Sequence, residues 1–278
     1  MKYKTTLALA VILLTFTKPL LAQQGSRVPA IASNVPEFFA KGYLGTLGGG
    51  FLMQSNSRLT GKTFDPDANA IFTLGLGNPE KFAGVDLRVN IYGLGGKAGG
   101  RKDFGRGSLD LHLSRKVTNM LWAGAGIYDL TAWKDSSSNI MRSAYFGFTT
   151  IVPLNTERRT FNTLYLSAGL GNGRFRSNRN FTSSTEGKLN IFGSAAIQVL
   201  PEVNYLLEWS GYSLYTGVAF YPFEIIPGQI LIGVDELTNK HRRYIIAFSV
   251  GFQSVSPTKS RIRNRTIPAP PPPQSSRL

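Results

Sequence analysis

The sequence contains no cysteine, and it has only 2 histidines among 278 residues. Without cysteine the chain can form neither a disulfide framework nor a thiolate metal site, and it has no thiol nucleophile. Two histidines leave little for a histidine-rich metal centre. We therefore expect no metal site, no cofactor and no catalytic residues.

Charged residues and long apolar runs are also scarce. Charged residues make up 17% of the chain, below the roughly 25% of an ordinary globular domain. After residue 25, no apolar run approaches the roughly 20 residues that a transmembrane helix needs. Glycine, in contrast, is abundant, with 30 residues. This composition favours β-structure.

The first 22 residues are organised like a secretory signal peptide. Lys2 and Lys4 form its positive end, residues 7–16 form an apolar core too short for a transmembrane helix, and Ala22 supplies a small residue at the cleavage site. An N-terminal membrane anchor is the less favoured alternative. We expect a mature chain that begins near Gln23 in the envelope of a Gram-negative bacterium.

The net charge of +15 is concentrated towards the two ends of the chain. The tail, residues 254–278, is basic, carries no acidic residue and ends in a proline-rich segment. Such a composition cannot build a core and favours an extended, disordered arm. The tail is either a solvated terminus or a docking arm for an acidic envelope polymer, and its periplasmic partner is unknown. A nucleic-acid-binding fold would spread its basic residues over one surface, so we expect no nucleic acid partner.

From residue 46 onward, apolar residues alternate with polar or small ones at a period of two, which predicts β-strands. The alternation is clearest from Tyr244 to Phe252. We expect most strands to run about nine to twelve residues, close to the length that crosses a bilayer at a tilt. Twelve segments share the pattern, and they centre on Phe51, Phe72, Val89, Leu111, Ala125, Phe148, Leu166, Ala195, Leu207, Val218, Ile232 and Phe248.

Two all-β architectures fit this pattern. In a secreted soluble sandwich the apolar face forms a core, whereas in an outer-membrane barrel it faces lipid. The predicted connections tend to alternate between short and long, as they do in membrane barrels. We therefore predict an antiparallel, up-and-down transmembrane β-barrel of about 12 strands at residues 46–253, preceded at residues 23–45 by a periplasmic leader or plug-like segment.

The polar faces of these strands are expected to line the lumen. Asp110, His112 and Ser114 include the parts of a nucleophilic triad, but residues two apart on a strand lie about 6.6 Å apart along it. An outer-membrane hydrolase is therefore the weaker interpretation, and a polar lumen is the stronger one. The predicted lumen residues are Asp86, Arg88, Asp110, His112, Glu208 and Asp235.

The predicted long loops are rich in cations. Arginine pairs well with phosphate and carboxylate groups, so these loops either contact anionic glycolipid or polysaccharide at the outer rim, or are simply solvated. The loop residues predicted to contact anions are Arg101, Lys102, Arg174, Arg176, Arg179, Arg242 and Arg243.

Four blocks, at residues 72–81, 166–176, 190–194 and 207–211, together resemble an uncharacterised family of bacterial outer-membrane β-barrels that is common in photosynthetic diderms. The resemblance implies a barrel embedded in outer-membrane lipid, and it implies no substrate. The function predicted first is a small, porin-like pore or passive channel. A structural or glycan-associated envelope barrel without conductance is the alternative.

Overall fold

A computed structural model describes residues 29–56, 64–94, 105–134, 142–154, 160–177, 188–222, 228–238 and 242–252. The predicted signal peptide and the predicted proline-rich tail lie outside these residues. The same is true of the predicted loop residues Arg101, Lys102 and Arg179. In the described part of the chain, no helix is long and apolar enough to cross a membrane.

The alternating segments form twelve strands, and a short 3₁₀ turn at Gly173–Phe175 follows the seventh. The strands are β1 (Leu47–Gln54), β2 (Asp67–Gly75), β3 (Gly84–Tyr92), β4 (Arg106–Lys116), β5 (Leu121–Trp133), β6 (Ser143–Pro153), β7 (Thr163–Gly171), β8 (Asn190–Leu200), β9 (Val203–Trp209), β10 (Leu214–Phe220), β11 (Gly228–Asp235) and β12 (Arg243–Phe252).

Each strand pairs antiparallel with the next, and β1 pairs with β12, so that the sheet closes into a barrel. At the closing seam Leu47 lies opposite Phe252 and Gln54 lies opposite Ile245. The predicted all-β, antiparallel barrel of about 12 strands is therefore confirmed, and each predicted centre lies inside a strand.

Seven of the twelve strands have nine to eleven residues, as predicted for most of them, and the other five lie outside that range. β9 and β10 have only 7 residues each, because residues 210–213 turn the chain back early. β5 has 13 residues, and its register against β4 shifts between Leu109 and Leu111. The shift leaves extra residues of β5 opposite Asp110, as in a β-bulge.

The outer surface of the barrel is apolar. On β6, Phe146 and Phe148 are about half exposed, whereas Tyr145 and Thr149 on the alternate face are buried. Soluble monomers rarely expose a continuous apolar surface of this extent. Other exposed apolar side chains on the strands are Phe51, Met53, Phe72, Leu74, Leu113, Leu166, Ile191, Leu207, Val218, Ile232, Ile246, Phe248 and Phe252.

The two ends of the barrel differ in their connections. We call the end at which β1 begins and β12 ends the near end, and the opposite end the far end. Strand pairs join at the near end through residues 76–83, 117–120, 154–162, 201–202 and 221–227. At the far end they join through residues 55–66, 93–105, 134–142, 172–189, 210–213 and 236–242. The longer connections are mostly at the far end.

Candidate functional site: the barrel lumen and the leader

A segment that precedes the first strand occupies the inside of the barrel. We call this segment, residues 29–41, the leader. Its main chain is hydrogen-bonded to Ser114 on β4 and Thr149 on β6, and also to Glu208 on β9 and Gln229 on β11. Because β4–β6 and β9–β11 lie on opposite sides of the closed sheet, contacts with both place the leader in the lumen.

The leader forms a loop that starts and finishes at the near end. Its first residues contact Asn204, which lies close to the near end of β9. Its middle residues contact Glu208, close to the far end of the same strand. Its last residue, Lys41, contacts Ser114, close to the near end of β4. The leader therefore has a rising arm, a tip at Ser33–Val35 and a descending arm.

Glu208 holds the tip. Its carboxylate accepts hydrogen bonds from the main-chain N–H groups of Ser33 at 2.6 Å, Asn34 at 2.8 Å and Val35 at 3.1 Å. The Glu208 residue is 1% exposed. A hydrogen bond to a charged group is stronger than one between neutral groups, contributing about 1.5–3 kcal/mol. The three bonds together make this carboxylate the strongest polar contact of the leader.

Two amide side chains hold the rising arm. Asn204 Nδ2 donates to the carbonyl oxygens of Pro29 at 2.8 Å and Ala30 at 3.2 Å. Gln229 Oε1 accepts from the Ala30 N–H at 2.9 Å, while its Nε2 donates to Ser249 Oγ at 3.0 Å. The second bond fixes the orientation of the Gln229 amide, so that its oxygen faces the leader.

Two hydroxyl groups hold the descending arm. Thr149 Oγ1 accepts from the Phe38 N–H at 2.9 Å and lies 2.9 Å from Ser167 Oγ. Ser114 Oγ donates to the Lys41 carbonyl oxygen at 2.7 Å. Within the arm, Lys41 Nζ pairs with Glu37 Oε1 at 2.6 Å. This arm therefore has fewer main-chain bonds to the wall than the rising arm and the tip.

An aromatic anchor adds apolar contacts between the descending arm and the wall. Phe38 is 3% exposed, and its ring centroid lies 6.1 Å from that of Tyr145. Gly124 and Gly147 make room for it, because a Cβ on Gly124 would overlap the Phe38 ring and a Cβ on Gly147 would lie 3.0 Å from Phe38 Cε2. The adjacent Phe39 meets Trp122 edge-on, with centroids 5.5 Å apart.

A fixed junction joins the leader to the first strand. Gly42 adopts φ +74°, and a Cβ at this position would collide with the main chain of Gly84 and Val85. The Gly42 carbonyl oxygen accepts from the N–H of Gly77 at 2.8 Å. The Tyr43 hydroxyl donates to Glu80 Oε1 at 2.7 Å; burial, this bond and the Glu80 charge raise the pKa of Tyr43. The junction is therefore anchored independently of the tip.

The predicted lumen residues on β3 and β4 form a polar cluster. Asp110 accepts from Asn90 Nδ2 and from the Asp129 N–H, both at 2.8 Å. His112 contacts the Tyr145 hydroxyl through Nδ1, and its Nε2 lies 3.9 Å from Asp110 Oδ2. These contacts hold His112 against the wall of the lumen.

The neighbouring charged groups leave a small space. Arg88 Nη2 lies 3.9 Å from Asp86 Oδ2. A cavity of about 100 Å³ lies between the leader and the side chains of Arg88, His112 and Tyr128. Ser114 donates to Lys41, not to His112. The Asp110, His112 and Ser114 side chains are therefore not arranged as a nucleophilic triad.

The remaining predicted site residues occupy different environments. Asp235 is buried and pairs with Arg243, the first residue of β12, and Arg243 also donates to Gln54 at 3.1 Å. Arg176 is 3% exposed and donates through Nε to the Gly173 carbonyl oxygen. The Arg174 guanidinium lies 4.4 Å from the centre of the Tyr128 ring. Arg174 and Arg242 are exposed.

Several residues that hold the leader were missed by the sequence analysis. Asn204, Thr149 and Gln229 alternate with outward apolar residues, so their positions carried a signal for the inner face. Phe38 carried no such signal, because it precedes the first alternating segment. Among the described residues, no group of three or more His, Asp or Glu side chains is arranged to hold a metal ion.

No protein-family model matches the chain, and no curated protein matches it. Among solved structures, it is similar to a KdgM porin in complex with disordered oligogalacturonate. That similarity has a TM-score of 0.44 at 10% sequence identity, and it covers 75% of this chain and 99% of that chain. The strand pairing of the chain itself establishes its fold as a closed, twelve-stranded, antiparallel β-barrel.

Proposed function

We propose that the protein is an outer-membrane β-barrel with a small pore, which the leader closes in the conformation described. The observation that carries the proposal is the leader inside the lumen, held at its tip by three hydrogen bonds to Glu208. A segment that fills a lumen and is fixed by polar contacts obstructs the passage of solutes.

The outer surface supports a membrane location. Side chains such as Phe148 and Phe248 are about half exposed around the barrel wall, where lipid would cover them. Membrane barrels place short turns in the periplasm and long loops outside, which assigns the near end to the periplasm. With this orientation the leader enters from the periplasmic side, as expected for a chain exported by a signal peptide.

The size of the barrel supports a narrow pore. Side chains fill barrels of about eight strands, whereas barrels of 16–18 strands enclose aqueous channels. In this twelve-stranded barrel the leader and inward side chains leave a cavity of about 100 Å³. Removal of the leader would expose Arg88, Asp110 and Glu208 to water, so the opened lumen would be polar.

A structural envelope barrel without conductance is the second candidate. It is favoured by hydrogen bonds to both arms of the leader, since a permanently bound leader would make the protein a solid barrel. In either case, any contact with anionic glycolipid at the far end would use exposed cations such as Arg174 and Arg242.

Conductance in a planar bilayer tests the pore. We expect the full chain to be closed most of the time and the Glu208→Ala variant to open frequently, because the tip loses its acceptor. Glu202→Ala is the matched control, since Glu202 is exposed in the turn before β9, and it should behave like the parent. A Glu208→Ala variant that never conducts would reject the pore and favour the structural barrel.

A further inference from the structure

The wall makes many of its contacts with the main chain of the leader. Eight hydrogen bonds join five wall side chains to main-chain groups of the leader. The wall residues include a carboxylate, two amides and two hydroxyl groups, and they are Ser114, Thr149, Asn204, Glu208 and Gln229. Main-chain groups are the same in every peptide, so these contacts do not depend on the sequence of the occupant.

Three of the leader residues that make these bonds have small or polar side chains. Ala30, Ser33 and Asn34 donate main-chain hydrogens while their own side chains are only partly buried. At these positions, a different side chain would leave the bonds to Gln229 and Glu208 in place. These three positions are therefore held through main-chain geometry, whereas the apolar side chains of Ile31 and Val35 are buried in the lumen.

The aromatic side chain at position 38 is the largest buried side chain of the leader. The Phe38 ring fills a pocket where the absence of a Cβ on Gly124 and Gly147 leaves room for an aromatic ring. Tyr145 forms part of the surrounding aromatic cluster. An aromatic pocket beside a row of side-chain groups that bind main-chain groups is suited to an extended peptide.

We propose that the lumen wall is a binding site for an extended polypeptide that carries an aromatic side chain at the position of Phe38 and apolar side chains at those of Ile31 and Val35, and that the leader is its tethered occupant. The proposal deepens the function proposed above, because it uses the same lumen. Tethering gives the leader a millimolar effective concentration. A free peptide therefore binds measurably only when the anchor of the leader is weakened.

The first experiment follows the leader within the full chain. Since the sequence contains no cysteine, Asn34→Cys gives a single thiol at the tip, and its reaction with a bulky maleimide reports release. We expect Phe38→Ala to raise the labelling rate at least about tenfold. Phe64→Ala, at a side chain that is 73% exposed and outside the leader, should leave it within about twofold. Equal rates for both variants would overturn the proposal.

The second experiment measures binding in trans. A fluorescent peptide with the sequence of residues 29–41 is titrated into the full-length Phe38→Ala chain in detergent, where the wall is intact. We expect saturable binding that weakens at least about tenfold when the peptide itself carries Phe38→Ala. A peptide of the same composition in which Phe38 and Ala30 exchange places should weaken to a similar extent, because the Phe38 ring is then out of register with the pocket at Gly124 and Gly147.

Absence of saturable binding would overturn the proposal. The same is true of binding that is unaffected when the peptide carries Phe38→Ala. Conductance of the same preparations separates this result from the pore. Peptide binding without conductance rejects the pore and supports the peptide site. Conductance without peptide binding supports the pore and rejects the site.

Discussion

Two regions of the lumen wall hold the same leader in different ways. The β9–β11 arc uses Asn204, Glu208 and Gln229, which bind main-chain groups of the rising arm and tip. The β4–β6 arc uses only hydroxyl groups for the main chain, and it adds the pocket for Phe38. The first arc therefore holds the backbone together with the buried Ile31 side chain, and the second holds the Phe38 ring in a pocket.

The two arcs also differ in how completely they are filled. On the β9–β11 side, the Glu208 carboxylate accepts three main-chain hydrogen bonds from the tip, at distances of 2.6, 2.8 and 3.1 Å. Next to the β4–β6 arc, the cavity beside Arg88 and His112 remains open. The leader therefore fills the lumen next to the β9–β11 arc and leaves a cavity next to the β4–β6 arc. Variants of either arc, or of the leader side chain that it holds, sharpen this comparison when the thiol at position 34 reports release of the leader.

The largest effect is expected from loss of the anchor in the β4–β6 arc. Phe38→Ala should destabilise the bound leader by about 4 kcal/mol, because it removes a buried aromatic ring and leaves a cavity. The ratio of labelling rates at position 34 gives this free energy. Phe64→Ala is the matched control, since Phe64 is 73% exposed, and it should change nothing. Similar rates for both variants would show that the anchor contributes no stability.

The next largest effect is expected in the opposite arc. Glu208→Ala should destabilise the bound leader by about 3 kcal/mol, because three N–H groups lose a charged acceptor and regain only part of that energy from water. Glu208→Gln retains one carbonyl oxygen and should fall between alanine and the parent. If the thiol at position 34 reacts as fast in Glu208→Gln as in Glu208→Ala, the charge of Glu208, and not its acceptor geometry, holds the tip.

A smaller effect is expected from filling the anchor pocket. Gly124→Ala places a methyl group against the Phe38 ring and the Leu113 carbonyl oxygen, and overpacking of this kind costs about 2 kcal/mol. Gly251→Ala is the control, because a Cβ there meets nothing within 4 Å. Thermal unfolding monitored by heat-modifiable gel migration, together with labelling, would compare the two. Equal behaviour would mean that the pocket is not tightly packed.

The smallest effect is expected from a single hydroxyl group. Thr149→Val removes the acceptor for the Phe38 N–H and should destabilise the bound leader by about 1 kcal/mol. The neighbouring Thr150 donates to the Met120 carbonyl oxygen and has no described contact with the leader. Thr150→Val should therefore leave the labelling rate unchanged. A larger loss for Thr149→Val than for Glu208→Ala would reverse the comparison between the arcs.

The sequence predicts the barrel better than its contents. Strict alternation, as from Tyr244 to Phe252, marks which side chains face outward, because a strand has a period of two. The same alternation identified Glu208 as an inward polar residue. It could not reveal that Glu208 binds the main chain at Ser33–Val35, since contacts between residues about 175 positions apart leave no local pattern.

Loop residues were the least predictable part of the site. Arg243 belongs to β12 and pairs with Asp235, and Arg176 is buried against the 3₁₀ turn. Charge and position between strands predict solvated loop residues in both cases. The turn at Gly173–Phe175, against which the Arg176 side chain is buried, depends on contacts with strands β6–β8 that the loop sequence alone does not encode.

The most direct test of the central claim is a reversible lock on the leader. Phe38→Cys combined with Thr149→Cys places two thiols where the Phe38 main chain already contacts the Thr149 side chain. We predict no conductance in a planar bilayer while the disulfide is closed, and conductance after addition of a reductant, with both single variants insensitive to reductant. Equal conductance before and after reduction, or none in either state, would contradict a pore closed by its own leader.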